Sequence, residues 1–277
     1  MIKRLGTAAF AASFAIAAWT GAATAGEVLD RVQRTKTLTV AVGTDWGAGS
    51  HLDESHEFVG YDVTIAKQIA ASLGVEVKFV TPSWDLIAAG NWDGRWDVAM
   101  GQMTPTKERA EKLDFPATYI WGPTSAVIHK DSKATKPSDL EGKVVGVTSG
   151  VTGEAYANHN LAPAWLNADP ITYQFKPGKV KTYGTSNVAF DDLRLGDGVR
   201  LDAVIADTSI ALDAIKAGYP LRVLEPALFN SPGDIAIQRG DKEFSDKIAA
   251  AVKQMKDDGT LSRLSMKWYG VDYSKEQ

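Results

Sequence analysis

Five short β-branched, apolar runs recur along this chain, each closed by a polar turn from which a helix can start. That alternation restricts the fold more than any other feature. Thr37–Val42 comes first, bounded by Gly43; Val75–Val80 and Asp97–Met100 follow, then Lys143–Val147 and Leu201–Ala206. Between the first two, Asp62 is suited to cap a helix whose apolar stripe is Ile65, Ala66, Ile69, Ala70 and Leu73. The stripe stops at Gly74, the residue type preferred just past a helix C-terminus. A shorter helix is expected near Trp84–Gly90. Strand–helix–strand alternation at this spacing implies a largely parallel sheet flanked by helices. The pattern restarts at Ser138–Gly142. The turn Thr148–Gly153 then opens a helix at Glu154, and Asp207-Thr208-Ser209 opens another that runs to Gly218. A long amphipathic helix, Phe244–Asp257, and a second piece reaching Trp268-Tyr269 close the chain, while Asn167–Gly184 reads as an irregular insertion. The chain therefore reads as two α/β units in succession.

The third run leads into the segment with the clearest chemistry, Met100–Arg109. Thr104 is a good N-cap, and Pro105 at the first helical position lacks only an N–H that would be orphaned anyway. Free N–H groups and the helix dipole would point at whatever lies beyond the strand's end. Arg109 adds a planar five-donor fork suited to a carboxylate. The plainer reading of the same residues is an ordinary helix start with a solvated arginine. In open α/β sheets, however, ligands bind beyond the carboxyl ends of the strands, so a cleft between the two units is the expected site.

The first 25 residues read as an export signal: Lys3 and Arg4, an apolar stretch from Leu5 to Trp19, and the small-x-small site Ala23-Thr24-Ala25. Cleavage is expected after Ala25, and N-terminal sequencing of the exported protein checks it. No later segment approaches ~18 consecutive apolar residues, so the mature chain is expected to be soluble and periplasmic. The chain has no cysteine, which excludes disulfides, thiolate metal sites and a cysteine nucleophile. Losing Lys3 and Arg4 takes the net charge from −4 to −6, and 277 less 25 leaves 252 residues. A mildly acidic chain with scattered charges is a poor partner for nucleic acid, which rewards a basic face.

Several motifs in order resemble the periplasmic solute-binding proteins that deliver amino acids to ABC importers (bacterial extracellular solute-binding protein family 3). They are Leu38–Asp45 and Gly60-Tyr61-Asp62-Val63-Thr64-Ile65-Ala66, then Met103–Ala110 continued by Leu113-Asp114-Phe115. Lys143–Gly153, Asp202–Asp207, and Asp257–Thr260 with Lys267–Gly270 complete the series. The resemblance runs nearly the whole mature chain. It implies a type II periplasmic-binding-protein fold: two lobes, each a mixed, mostly parallel sheet flanked by helices, joined by two crossing strands near Tyr119–Pro123 and Phe229–Gly233. Lobe 1 would comprise residues 26–121 with 232–277, and lobe 2 residues 122–231. It further implies that a ligand α-carboxylate lies against Arg109, Thr104 and the backbone N–H groups of Gly150, Val151 and Thr152. An α-ammonium would pair with Asp207, and Asp45, Trp46 and Trp84 would line the side-chain pocket, with Gln102 and Met103 at its edge. A membrane permease as partner, a monomeric state and the absence of any cofactor or metal are further expectations.

The chain departs from the family pattern in places. Trp46-Gly47-Ala48-Gly49-Ser50-His51 stands where the family commonly has an aromatic-x-Pro-Phe run; Gln102 replaces a typical glycine, and Thr64 an acid. Asp45 reads equally as a strand-end turn former and as a partner for a cationic or amide side chain. His51–Glu57 gathers imidazoles and carboxylates as a metal site would, but without metal-ligand helical spacing, and a solvated hairpin is the expected form. Trp92, Trp96 and Trp121 suit either sugar stacking or, more commonly for so large a ring, lobe packing. An enzyme on the same scaffold, such as a cyclohexadienyl dehydratase, is the competing reading, with His51 or Glu57 as proton-transfer group. It ranks second because the motif positions carry groups that hold charge rather than move protons.

Overall fold

The protein's structure, a computed structural model, describes residues 26–276, and the expected export signal lies outside them. Helix α1 (Glu27–Thr35) precedes β1 (Thr37–Ala41), and β2 (Asp45–Trp46), β3 (Ser50–Leu52) and β4 (Phe58–Val59) form a small separate antiparallel sheet. Next come α2 (Tyr61–Leu73), β5 (Glu76–Val80), α3 (Trp84–Ala88), β6 (Val98–Met103), α4 (Lys107–Ala110) and β7 (Leu113–Asp114). The long strand β8 (Thr118–His129) leads into a second half. That half contains β9 (Val144–Thr148), α5 (Thr152–Ala157), β10 (Lys179–Tyr183), α6 (Ser186–Leu193), β11 (Ala203–Asp207), α7 (Thr208–Lys216) and β12 (Leu221–Val223). A second long strand, β13 (Phe229–Gln238), returns, and α8 (Lys242–Asp257) and α9 (Thr260–Tyr269) pack on the first half.

Each half is centred on a parallel trio: β1 lies between β5 and β6, and β9 between β10 and β11. The long strands join them. They pair antiparallel with each other, Ile120 opposite Gly233 through Thr124 opposite Phe229. Beyond that overlap β13 continues along β6, and β8 along β11. The result is the expected two-lobed α/β fold with two crossing strands. Each hydrophobic cluster among the described residues draws its members from one half. Trp92 and Trp96 sit in one of these cores, ring centroids 5.5 Å apart, rather than at a sugar-binding surface.

Four local readings need correction. Asp62 does not cap α2. Gly60 holds that position at φ 135°, where a Cβ would stand 2.3 Å from the Gly49 carbonyl oxygen. The first helical N–H groups, of Tyr61 and Asp62, donate to the Ala48 and Gly49 carbonyls. With those donors satisfied by backbone, the Asp62 carboxylate is released from capping and turns inward, 1% exposed.

Thr104 and Pro105 do not begin a helix either. The N-cap is Thr106, whose Oγ1 accepts from the Arg109 N–H. The chain just before it is held extended by the facing half: Ala164 N–H donates to the Pro105 carbonyl, and Lys107 N–H to that of Ala162. Helix α5 begins at Thr152 rather than Glu154, and Glu154 instead reaches back to accept from the Gly150 N–H at 2.7 Å. Within the expected insertion, Lys179–Tyr183 is an edge strand paired with β9. Its charged, alternating sequence suits a strand with one open edge.

Candidate functional site

A cavity of about 340 Å3 lies between the halves, where the carboxyl ends of β1 and β6 face those of β9 and β11. One wall carries Asp45, Trp46, Asp62, Trp84 and Gln102; the other carries Thr148, Val151, Thr185, Ser186, Asp207 and Ile210. The indoles of Trp46 and Trp84 meet edge to face, centroids 5.4 Å apart. Two glycines make that possible. A Cβ on Gly43 would stand 2.2 Å from the Trp46 ring, and one on Gly101 would stand 2.6 Å from Trp46 and 2.8 Å from Trp84. The aromatic wall therefore rests directly on bare backbone at two strand ends.

Six of the expected residues thus come together around this cavity: Asp45, Trp46, Trp84, Gln102, Val151 and Asp207. Arg109, Gly150 and Thr152 line an adjoining depression that also touches Val151. Met103 is packed in the core with Trp92, and Thr104 is buried with its hydroxyl 3.1 Å from that of Ser231. The Arg109 fork is spoken for: Nη1 donates to the Thr104 carbonyl at 2.8 Å, and Nη2 to the Gly150 carbonyl of the other half at 2.7 Å. Trp84 Nε1 donates to the same Gly150 oxygen at 3.1 Å. Further bonds cross the cleft, from Ala48 N–H to Asp213 Oδ2 and from Asn187 Nδ2 to the Asp45 carbonyl. The two lobes are therefore latched together, with Gly150 at the centre of the latch.

Sequence reasoning missed Asp62. Its Oδ1 accepts from the Tyr119 hydroxyl at 3.0 Å and from Gln102 Nε2 at 3.4 Å. Gln102 Nε2 also donates to the Tyr269 hydroxyl at 2.7 Å, and the Gln102 N–H donates to the Tyr119 hydroxyl. Gln102 holds a left-handed backbone, φ 56°, uncommon for a residue with a side chain. The signal in the chain is that unusual residue itself: an amide placed where a small residue is typical needs a partner close by.

Burial pushes the Asp62 carboxyl up to about 7 against the lowering pull of the Tyr119 and Gln102 hydrogen bonds. Burial likewise raises Asp234, at the start of the β13 pairing with β6, to about 7, with Thr118 lowering it. The Asp207 carboxylate opens onto the cavity but is walled by protein on its other sides. That enclosure raises its pKa, while the Thr124 hydroxyl and the Arg109 charge draw it back. Burial lowers Arg109 to about 10, which leaves it charged at neutral pH.

A pH dependence follows from Asp62 and Asp234. Between the ordinary carboxylate pKa and about 7 the folded chain keeps protons that the unfolded chain has lost, so stability falls as pH rises through that window. Denaturant titrations of the ligand-free protein at pH 5 and pH 8 are expected to differ by on the order of 2 kcal/mol or more, the acidic condition being more stable. Equal or greater stability at pH 8 contradicts the assignment.

The His51–Glu57 segment forms the β3–β4 hairpin, with Asp53 Oδ1 accepting from the Ser55 and Glu57 N–H groups. His51 points elsewhere, its ring against Trp268 and its Nδ1 2.8 Å from the Gly47 carbonyl.

Comparison with known proteins agrees with this architecture. The family described as bacterial extracellular solute-binding proteins, family 3, matches residues 38–271. The L-cystine-binding protein TcyJ of Escherichia coli (strain K12) is 30% identical over 251 residues, spanning 90% of this chain and 88% of that protein. Among solved structures, an ancestral arginine-binding protein bound to arginine superposes with a TM-score of 0.72 at 31% identity, covering 85% of this chain and 99% of the other. AncCDT-1, an ancestral amino acid-binding protein described as a precursor of cyclohexadienyl dehydratase, gives a TM-score of 0.73 at 31% identity, covering 87% and 98%. A two-lobed fold, an interlobe cavity with charged and aromatic walls, and a family match over nearly all the described residues converge: this chain belongs to family 3 of the bacterial extracellular solute-binding proteins, and is a substrate-binding component of an ABC importer rather than an enzyme.

Proposed function

We propose that the interlobe cavity captures an amino acid or similar zwitterion and that its binding holds the lobes closed. The observation that carries this reading is the pairing of walls: Asp207 on one side, two indoles on the other, joined across the cleft by Arg109. Asp207 takes the α-ammonium, Asp45, Trp46, Trp84 and Gln102 surround the side chain, and Met103 and Thr104 back the Arg109 turn. The α-carboxylate is taken by Arg109 with the backbone of Gly150, Val151 and Thr152. The Gly150 carbonyl now occupies one arm of the Arg109 fork, as a ligand carboxylate oxygen would. A zwitterion brings two charges that each need a partner once water is excluded, so it favours the closed state.

In this reading the lobes comprise residues 26–121 with 232–277 and residues 122–231, a division supported by the separate cores. The mature protein, cleaved after Ala25, acts as a monomer and hands its ligand to a membrane permease. A thermal-shift screen over amino acids, opines, amines and small carboxylates tests the function, because a ligand bound only by the folded state raises Tm by mass action. Stabilisation is expected from compounds with both an α-amino and an α-carboxyl group. If only compounds lacking the α-amino group act, the zwitterion reading fails.

A further inference from the structure

The turn between β2 and β3 is pinned to its own lobe on one side and reaches the other lobe on the opposite side. Its Ala48 and Gly49 carbonyls accept from the first amides of α2, those of Tyr61 and Asp62. The Gly47 carbonyl lies 2.8 Å from His51 Nδ1, and because a carbonyl can only accept, that nitrogen carries the proton. The Ala48 N–H leaves its lobe instead: it donates to Asp213 Oδ2, on α7 of the facing half, at 3.1 Å. Two residues of the turn are fitted to that carboxylate. Gly47 is left-handed, φ 56°, and a Cβ on it would stand 2.5 Å from Asp213 Oδ2. With Trp46 in the aromatic place of the family's run, Ala48 stands where that run has its proline, a residue with no N–H to give. The departure from the family pattern thus puts bare backbone and a donor where Asp213 meets the turn. Beside it, Asn187 Nδ2 of α6 reaches the Asp45 carbonyl at 3.4 Å. Gly47, Ala48 and Asp213 all lie outside the lining of the cavity.

Resting on the reading that the lobes close on an amino acid, we propose that Asp213 is a positioning residue for capture: its carboxylate clasps the Gly47-Ala48 turn as the lobes meet and slows ligand escape without touching the ligand. A bond made only between closed lobes deepens the closed state, and the ligand leaves only after that bond breaks, so the clasp acts on release rather than on entry. The bond is charge-assisted but lies at the exposed edge of the cleft, where water competes for both partners, so its effect is modest.

Stopped-flow measurement of association and release, with L-arginine and L-cystine as probes, tests the clasp. Asp213→Ala is expected to raise the release rate about three- to tenfold while association stays unchanged. The factor should be the same for every probe that binds, because the lost contact is between lobes. Asp213→Asn, which keeps an oxygen acceptor for the Ala48 N–H, should retain most of the wild-type residence time. Gly47→Ala should also speed release, by pushing the carboxylate off the turn, and should add nothing in the Asp213→Ala background. Wild-type release in Asp213→Ala overturns the proposal. So does a factor that differs between the probes, which would mark Asp213 as a ligand contact, or a full Gly47→Ala effect in the double variant. If neither probe binds the wild type, that result bears on the amino-acid reading, and hydrogen exchange in the ligand-free protein decides the clasp. The Ala48 amide is then expected to exchange faster in Asp213→Ala while those of Tyr61 and Asp62, bonded to the same turn, stay slow. An unchanged Ala48 amide refutes the clasp.

Discussion

Replacing Asp207 by alanine is expected to weaken amino-acid binding by on the order of 2–5 kcal/mol, roughly thirty- to several-thousand-fold. The carboxylate stands at the end of β11, where it is also the N-cap residue of α7 but makes no capping bond with its side chain. Its one hydrogen-bond donor among the described residues is the Thr124 hydroxyl, at 3.4 Å from Oδ1, so most of its accepting capacity faces the cavity. Removing it leaves a ligand ammonium desolvated and unpaired once the lobes close, and that penalty sets the size of the effect. Because no helix cap is lost, the unfolding midpoint of the ligand-free variant should stay close to wild type. Titration calorimetry of the two proteins with the same amino acid provides the measurement, and unchanged affinity in the variant refutes the role.

Arg109→Ala is expected to cost the closed state about 1.5–3 kcal/mol, because of the two charge-assisted hydrogen bonds its fork makes only the one that crosses the cleft weighs closed against open. One of those bonds stays within its own lobe, to the Thr104 carbonyl; the other crosses to Gly150. Trp84 Nε1 still reaches the Gly150 oxygen, which keeps that acceptor satisfied and limits the loss. The lobes should therefore open: small-angle scattering of the ligand-free variant should show a larger radius of gyration, and ligand affinity should fall with it. Arg109→Lys should recover little of this, since a single ammonium cannot span two carbonyls as the guanidinium fork does. A variant with wild-type dimensions and affinity would show that the latch does not hold the lobes.

Asp207 and Arg109 both stand out in the amino-acid sequence, but only the setting of Asp207 is legible there. Asp207 ends the strand Ala203–Asp207 and lines the cavity, in keeping with its position after a buried run. Arg109 is recognisable as an anion binder, yet the helix start expected to accompany it is displaced to Thr106, because residues 105 and 107 bond to Ala164 and Ala162 of the facing lobe. Asp62 has a sound local claim to a capping role. Carbonyls of the Ala48-Gly49 turn free it from that task, and no helix rule anticipates them. The edge strand Lys179–Tyr183 is hidden in the sequence because prolines and glycines nearby read as loop, while its pairing partner β9 lies more than thirty residues earlier.

The order of elements, their division into two α/β units and the family are all written in the chain. Each depends on residues close together in it: β-branched runs, a glycine closing α2, motifs at fixed spacing. The destinations of the charged side chains belong instead to the folded molecule. The bond from Arg109 to Gly150 spans 41 residues, that from Tyr119 to Asp62 spans 57, and that from Gln102 to Tyr269 spans 167. Whether a buried polar group is a cap, a latch or part of a ligand cavity is settled by which donors and acceptors remain unpaired after the lobes are packed, and that quantity is defined by the folded chain as a whole.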